Sequence, residues 1–244
     1  MLRVTKCQAF TGLALFLAGL LTSQLALAGS FSVNPTRLTL TAQQSAGMLT
    51  VRNTSDEETV VQLQANSWSQ QADGSDVLEA SSDLLAVPPL FTLKPGASQV
   101  VRVGLRRAPA AEGELTYRLL LREVPPPPAE GFNGLQVALN LSLPVFVLPP
   151  QGAAPDLVWQ MQYSPEGGPQ LQLSNRGNAH VQVRKVGLTG PDGTVIEGES
   201  LPAYLLPGKS RSWPLAPDLP TGPWSLQADT DAGDTEAELV LEAR

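Results

Sequence analysis

The sequence predicts an all-β protein built from two antiparallel sandwich domains. Three observations lead there. After residue 28, short β-favouring runs follow one another, each bounded by Asn, Asp, Gly or Pro. No long stretch combines a helical apolar period with capping residues. A Pro/Gly/Ala-rich piece, Leu148–Asp156 (LPPQGAAPD), then interrupts the strand pattern, which resumes beyond it.

Residues 1–28 come first and read differently. Arg3 and Lys6 precede an apolar run that ends in Ala26-Leu27-Ala28. A charged start, an apolar middle and a small-x-small cleavage site define a secretory signal peptide. The apolar run is about twenty residues, a length that also suits a membrane anchor. Thr22, Ser23 and Gln24 near its end and the cleavage site favour removal, leaving a mature chain with no membrane insertion. Gly29 and Ser30 at the cut exclude a lipoprotein cysteine. The single Cys, Cys7, leaves with the signal, so the exported chain folds without disulfides.

Residues 29–150 form the first predicted domain. FSVNPTRLTL, GMLTVRN, TVVQLQANSW, FTLKPGASQVVRVGL and TYRLLLREV supply its strands, with turns at Ala72-Asp73-Gly74, Lys94-Pro95-Gly96 and Glu112-Gly113. Seven or so strands in about 120 residues fit a sandwich. Pro125–Pro128 opens a long, stiff hairpin connection. Residues 151–244 form the second domain, from LVWQMQY, PQLQLSN, HVQVRKVGL, SRSWPL, WSLQADT and EAELVLEA.

Charge and composition narrow the function. Of 16 basic residues, Arg3 and Lys6 leave with the signal, so 14 remain against 23 acidic ones, a net charge of −9. Nucleic acid and anionic lipid are poor partners for such a chain. Without Cys, and with His180 its only His, it lacks Cys/His zinc sites and a Cys nucleophile. His180 lies at a turn entering a strand, where a structural role outweighs a catalytic one. Neither a G-x-S-x-G elbow nor a P-loop is present. Asp229, Asp231 and Asp234 lack the EF-hand pattern and read as a solvated turn. The chain is expected to be no enzyme and to need no metal or cofactor.

The most regular strand is LQVALNLSLPVFVLPP, Leu135–Pro150. Leu135, Val137, Leu139, Leu141 and Leu143 alternate with small or polar residues, then Pro144 breaks the pattern. An ordinary half-buried strand gives such alternation. Pro144 has no N–H for a ladder, which places it at an edge or bulge. A long apolar edge is an aggregation hazard that proteins keep when a partner is to pair with it.

Here the sequence resembles the periplasmic chaperones of the chaperone–usher pilus pathway. The resemblance rests on FSVNPTRLTL with Arg37, on VRNTSDEETVVQLQANSWSQ with Asn53 and Trp68, on LLAVPPLFTLKPGASQVVRV, on TYRLLLREVPPPP and on LQVALNLSLPVFVLPP, in that order. It implies two immunoglobulin-like β-sandwich domains in a boomerang arrangement, in the periplasm. It implies a chaperone that holds an incomplete pilus (fimbrial) subunit by donor-strand complementation, a form of β-augmentation, and delivers it to an outer-membrane usher. Leu135, Val137, Leu139, Leu141 and Leu143 would fill the subunit's groove. Each side chain fully buried is worth roughly 1.5–3 kcal/mol. The exposed strand is also compatible with a self-capping dimer of the free protein.

The family clamps the subunit's C-terminal carboxylate with two basic residues. Arg37 matches the first, and its fork of donors suits a carboxylate. The position of the second, a Lys, is Pro144 here. Arg118 on the preceding strand is the candidate replacement, expected across from about Leu141; the alternative is a surface or salt-bridged Arg. Such departures fit the family's archaic branch. In the family's interdomain charge network, Glu123 and Asp231 fall near two positions, but the Arg position is Leu148. Something else is expected to hold the domains.

Two other functions compete. A secreted adhesion or carbohydrate-binding module would show aromatic residues on a concave face, yet Phe, Trp and Tyr make up 5% of the chain. A carbohydrate-active enzyme would need two converging carboxylates.

Overall fold

The computed structural model describes residues 31–243 apart from 111, 129, 132, 166 and 198–202. The proposed signal segment lies outside the described residues. No helix among those described is long and apolar enough to cross a membrane.

The first ten strands are β1 (Phe31–Asn34), β2 (Leu38–Leu40), β3 (Ala46–Asn53), β4 (Thr59–Gln70), β5 (Asp76–Ala80), β6 (Leu84–Val87), β7 (Leu90–Leu93), β8 (Ser98–Leu105), β9 (Leu115–Val124) and β10 (Asn140–Val147). One sheet runs β1-β3-β8-β6. The other runs β2-β10-β9-β4-β5, with β7 also on β4. Alternate residues face inward because side chains switch faces at every step along a strand. Thus Leu49 and Val51, Val101 and Val103, Leu119 and Leu121, and Val145 and Val147 share one buried core. The single run FSVNPTRLTL is divided: β1 pairs with β3 in one sheet, β2 with β10 in the other. Pro35, which has no N–H to give a ladder, stands at the change.

The remaining strands are β11 (Leu157–Tyr163), β12 (Pro169–Asn175), β13 (Val181–Thr189), β14 (Val195–Glu197), β15 (Ala203–Leu205), β16 (Ser210–Pro214), β17 (Gly222–Thr230) and β18 (Thr235–Leu241). They form sheets β11-β12-β16 and β14-β13-β17-β18, with β15 also on β13. Trp159, Leu173, Val181, Trp224 and Leu226 lie in their core. Each half is therefore a sandwich, as in immunoglobulin-like domains, antiparallel throughout except that β2 joins β10 in parallel, and among the described residues no strand of one pairs with a strand of the other.

The Pro-rich connection between them is tied down. Asn178 holds it through Ala154 N–H donating to Asn178 Oδ1 (3.0 Å), Asn178 N–H donating to the Ala154 carbonyl (3.1 Å) and Asn178 Nδ2 donating to the Gly152 carbonyl (3.0 Å). Gly177 permits this approach, because a Cβ there would collide with the Ala154 carbonyl and the Asp156 nitrogen.

Candidate functional site: an open strand edge and a basic row

β10 carries the apolar run, but the strand starts later than the alternation does. Arg122 pairs with Asn140, and Glu123 and Leu139 close the hairpin. Glu123 N–H donates to the Leu139 carbonyl (2.8 Å), and Leu139 N–H donates to the Glu123 carboxylate (2.9 Å). Beyond Val124 come four prolines, which have no N–H, so the ladder stops there.

The odd-numbered residues of this run do not share one environment. Leu143, Val145 and Val147 are buried in the chain's own core, and Leu139 and Leu141 pack half-buried against it. Val137 is 77% and Leu135 87% exposed. The apolar alternation thus continues ahead of β10 into residues outside the strand that stand in solvent. Leu143, expected to face outward with the others, is committed to the internal core.

The backbone edge is open along the same stretch. β9 pairs with all of β10, whereas β2 pairs, in parallel, only with Val145–Val147. Ahead of Val145 no described strand lies on β10's second edge. Pro144 stands at the start of this open edge. Its missing N–H therefore removes no donor from a sheet that the chain itself completes.

The register places Arg118 directly across from Pro144 and from Asn66 on β4. That corrects the expected position near Leu141. The connection is longer than residues 125–134, because the polyproline arm cannot pair. Arg37 directly precedes Leu38, the partner of Val145. Extending that parallel register by one residue sets Arg37 level with Pro144. Asn66 on β4, Arg118 on β9, Pro144 on β10 and Arg37 just ahead of β2 therefore form one row across the sheet. Pro144 occupies the middle of that row, flanked by the two arginines.

The two cations differ in setting. Arg37 is 43% exposed, and its Nη1 donates to Asp231 Oδ2 at 2.8 Å. Arg118 is 14% exposed. Its guanidinium lies 3.7 Å from the centre of the Trp68 ring and 5.5 Å from that of Tyr204, a cation–π arrangement. Asp76 is its nearest carboxylate, at 3.7 Å. Burial pulls Arg118 below the ordinary arginine range; the Asp76 charge opposes this, and Tyr204 adds to the opposition. Asn66 Oδ1 and Trp68 Nε1 are buried close to this row without a hydrogen-bond partner.

Residues missed at the sequence level join the two sandwiches beside this row. Phe146 on β10 meets the His180 ring face to face, at 3.4 Å and 5°. The buried Glu114, just before β9, accepts from the His180 N–H (2.6 Å) and lies 2.8 Å from His180 Nδ1. A carboxylate only accepts, so Nδ1 carries the proton and Nε2 faces Asp231 Oδ2 at 3.8 Å. Asp231 Oδ1 accepts from the Gln182 N–H (2.7 Å). Gln70 on β4 donates to the Tyr204 carbonyl (2.9 Å) and accepts from the Leu206 N–H (3.0 Å). Trp68, Phe146 and Leu206 form a small buried cluster of their own.

Two expectations change accordingly. Glu123 belongs to the hairpin and not to an interdomain network; Glu114 is the first-sandwich carboxylate that reaches the second. Asp231, read as part of a solvated turn, is mostly buried and bonded to both sandwiches. His180 stands between Glu114 and Asp231, at 2.8 Å from one carboxylate and 3.8 Å from the other.

Comparison with known proteins places this geometry. Residues 30–153, half of the chain, match the family model for the pili and flagellar-assembly chaperone, PapD N-terminal domain. The chaperone protein PapD of Escherichia coli is 29% identical over 156 residues, which span 61% of this chain and 62% of PapD. Among solved structures, the CsuC–CsuE chaperone–tip adhesion subunit pre-assembly complex from archaic chaperone-usher Csu pili of Acinetobacter baumannii matches with a TM-score of 0.67 at 17% identity, covering 88% of this chain and 100% of that one. The CupB2 chaperone of Pseudomonas aeruginosa matches with a TM-score of 0.59 at 19% identity, covering 86% and 100%. The two-sandwich fold, the strand order that leaves β10 half open and the match over its first half agree: the chain belongs to the PapD-type pili assembly chaperone family.

Proposed function

We propose that the chain is a non-enzymatic periplasmic chaperone, possessing no cofactor, that binds incomplete pilus subunits by donor-strand complementation and passes them to an outer-membrane usher. In this reading residues 1–28 are removed, residues 29–150 are the N-terminal chaperone domain and residues 151–244 the C-terminal sandwich. One observation carries it: no described strand occupies the second edge of β10 ahead of Val145, and the apolar alternation continues ahead of the strand into the exposed Val137 and Leu135. A subunit lacking a strand would pair with that edge. Leu135, Val137, Leu139 and Leu141 would enter its groove, while Leu143 anchors the strand at home.

Arg37 and Arg118 would hold the subunit's terminal carboxylate from either side of Pro144. A Lys at 144 is dispensable because its cross-strand neighbour supplies the charge. The departures at Pro144 and Leu148 are the basis for placing the chain in the archaic branch. The sugar-binding alternative draws no support from the groove of about 420 Å³ on the second sandwich. That groove is lined by Glu197, Asp229, Asp234 and Glu236 and by no aromatic residue.

The test is co-purification of the mature chain with the pilin-like subunits encoded beside it. A one-to-one complex is expected, lost with Leu139→Glu and weakened with Arg37→Ala and with Arg118→Ala. Retention of the complex in Arg118→Ala would remove Arg118 from the anchor. Retention in all three variants would overturn strand donation itself.

A further inference from the structure

Arg37 is not free to receive a ligand. The Asp231 carboxylate, from the turn between β17 and β18 of the second sandwich, holds its guanidinium at 2.8 Å. That carboxylate has a second attachment of its own. Its other oxygen accepts from the Gln182 N–H, and His180 Nε2 stands 3.8 Å from the oxygen on Arg37. The second sandwich would therefore keep Asp231 in place if Arg37 let go. Other ties would also persist between the sandwiches: Glu114 with His180, the stack of His180 on Phe146, and Gln70 with Tyr204 and Leu206.

Resting on the anchoring role just proposed, we infer that Asp231 is a built-in competitor for Arg37: it occupies the anchor in the free chaperone and yields to an incoming carboxylate. The two acceptors are of the same chemical type and carry the same charge. The exchange gives up one guanidinium–carboxylate bond and makes another, and an incoming terminus without a charge cannot drive it. Asp231 thereby sets specificity, since a neutral amide or a side-chain hydroxyl would leave Arg37 with its internal partner. Exchange also removes one bond between the sandwiches. Anchoring a subunit and fastening the two sandwiches are then coupled, and the coupling is reciprocal: whatever weakens Asp231's hold on Arg37 strengthens carboxylate binding. The Arg37 end of the bond is 43% exposed, so an incoming carboxylate can reach it and water screens the pair there, while Asp231, 13% exposed, stays with the second sandwich.

Two probes separate the inference from the reading beneath it. One is an N-acetylated thirteen-residue peptide of alternating valine and threonine with a free C-terminal carboxylate; the other is its C-terminal amide. Affinities are measured with the full mature chain and with Asp231→Asn, which keeps an Oδ1 for the Gln182 N–H. The parent should prefer the carboxylate. Asp231→Asn should raise carboxylate affinity about twofold to fivefold, the range an ion pair of this exposure allows, and leave amide affinity unchanged. In the parent, the Asp231 carboxyl ¹³C resonance should move with the carboxylate peptide and not with the amide, a readout that does not depend on the variant folding. If the parent binds both peptides equally or neither, the anchoring role falls, and the exchange with it. If the parent prefers the carboxylate but Asp231→Asn gains nothing and the ¹³C resonance stays put, anchoring survives and the exchange is wrong.

Discussion

Leu135→Ala with Val137→Ala separates the exposed segment just ahead of β10, proposed above to enter a subunit, from the structural strand. Both side chains are largely in solvent, at 87% and 77% exposed. Their truncation should leave the chain's own stability within about 0.5 kcal/mol. Bound in a subunit groove, the same side chains would lose their water. Leu→Ala removes three carbons and Val→Ala two, at about 0.8 kcal/mol each when fully buried. Scaled by the surface still available to bury, the pair is worth about 3 kcal/mol, on the order of 100-fold to 300-fold in Kd. Leu143→Ala, six and eight residues further along the chain, should do the reverse. That side chain is already buried, so its loss should cost the fold about 2–5 kcal/mol. The assay pairs urea denaturation of each free variant with equilibrium competition for a purified subunit. A double variant that binds within threefold of the parent, or that unfolds several kcal/mol more easily, would refute the division of this run into an internal and an offered half.

Three further outcomes test the rest of the structure. His180→Ala should destabilise the protein by about 3–5 kcal/mol, because it strips the ring partner from a fully buried Glu114 carboxylate; denaturation monitored by tryptophan fluorescence reads the loss. Gly177→Ala should lower the melting temperature by several degrees, since its Cβ must displace backbone of the interdomain connection; Gly113→Ala, with open space around it, should cost far less. Tyr117 supplies a pH signature. Its hydroxyl donates to Asp83 at 3.3 Å, and burial, then the Asp83 charge, push its pKa up to about 12. The folded value lies above the unfolded one of about 10, so the contribution is full below that pH and is lost as pH rises toward 12. It amounts to about 2 kcal/mol, and Tyr117→Phe should flatten this stretch of the stability–pH curve.

Much of the architecture is legible in local pattern. Period-two alternation identifies the buried faces of β3, β4, β8 and β9, since every second residue of a strand faces the same way whatever its partners. The proline quartet and Pro144 announce where the ladder cannot extend, since a missing N–H is a covalent fact. The apolar run from Leu135 and the Arg of FSVNPTRLTL are visible for the same reason: composition and spacing are enough to single them out. The alternation does not reveal that its two ends differ. Leu143 and Leu135 are the same residue at the same parity, and only the length of the sandwich beneath them decides which one meets water.

The register and the interdomain seam depend on tertiary structure alone. Arg118 faces Pro144 because the polyproline arm stays out of the hairpin, a fact of pairing that no count of loop residues supplies. Glu114, His180, Asp231 and Arg37 are scattered over nearly all of the described residues, and each by itself resembles a surface charge or a turn residue. They become one device when two independent sandwiches bring their ends together. The sequence by itself determined the strand class, the two sandwiches, the apolar strand and Arg37, all properties of local covalent pattern. Tertiary structure decided which half of that strand is open, which cation stands beside Pro144 and which carboxylate holds Arg37, because each is a contact between residues that chain order leaves far apart.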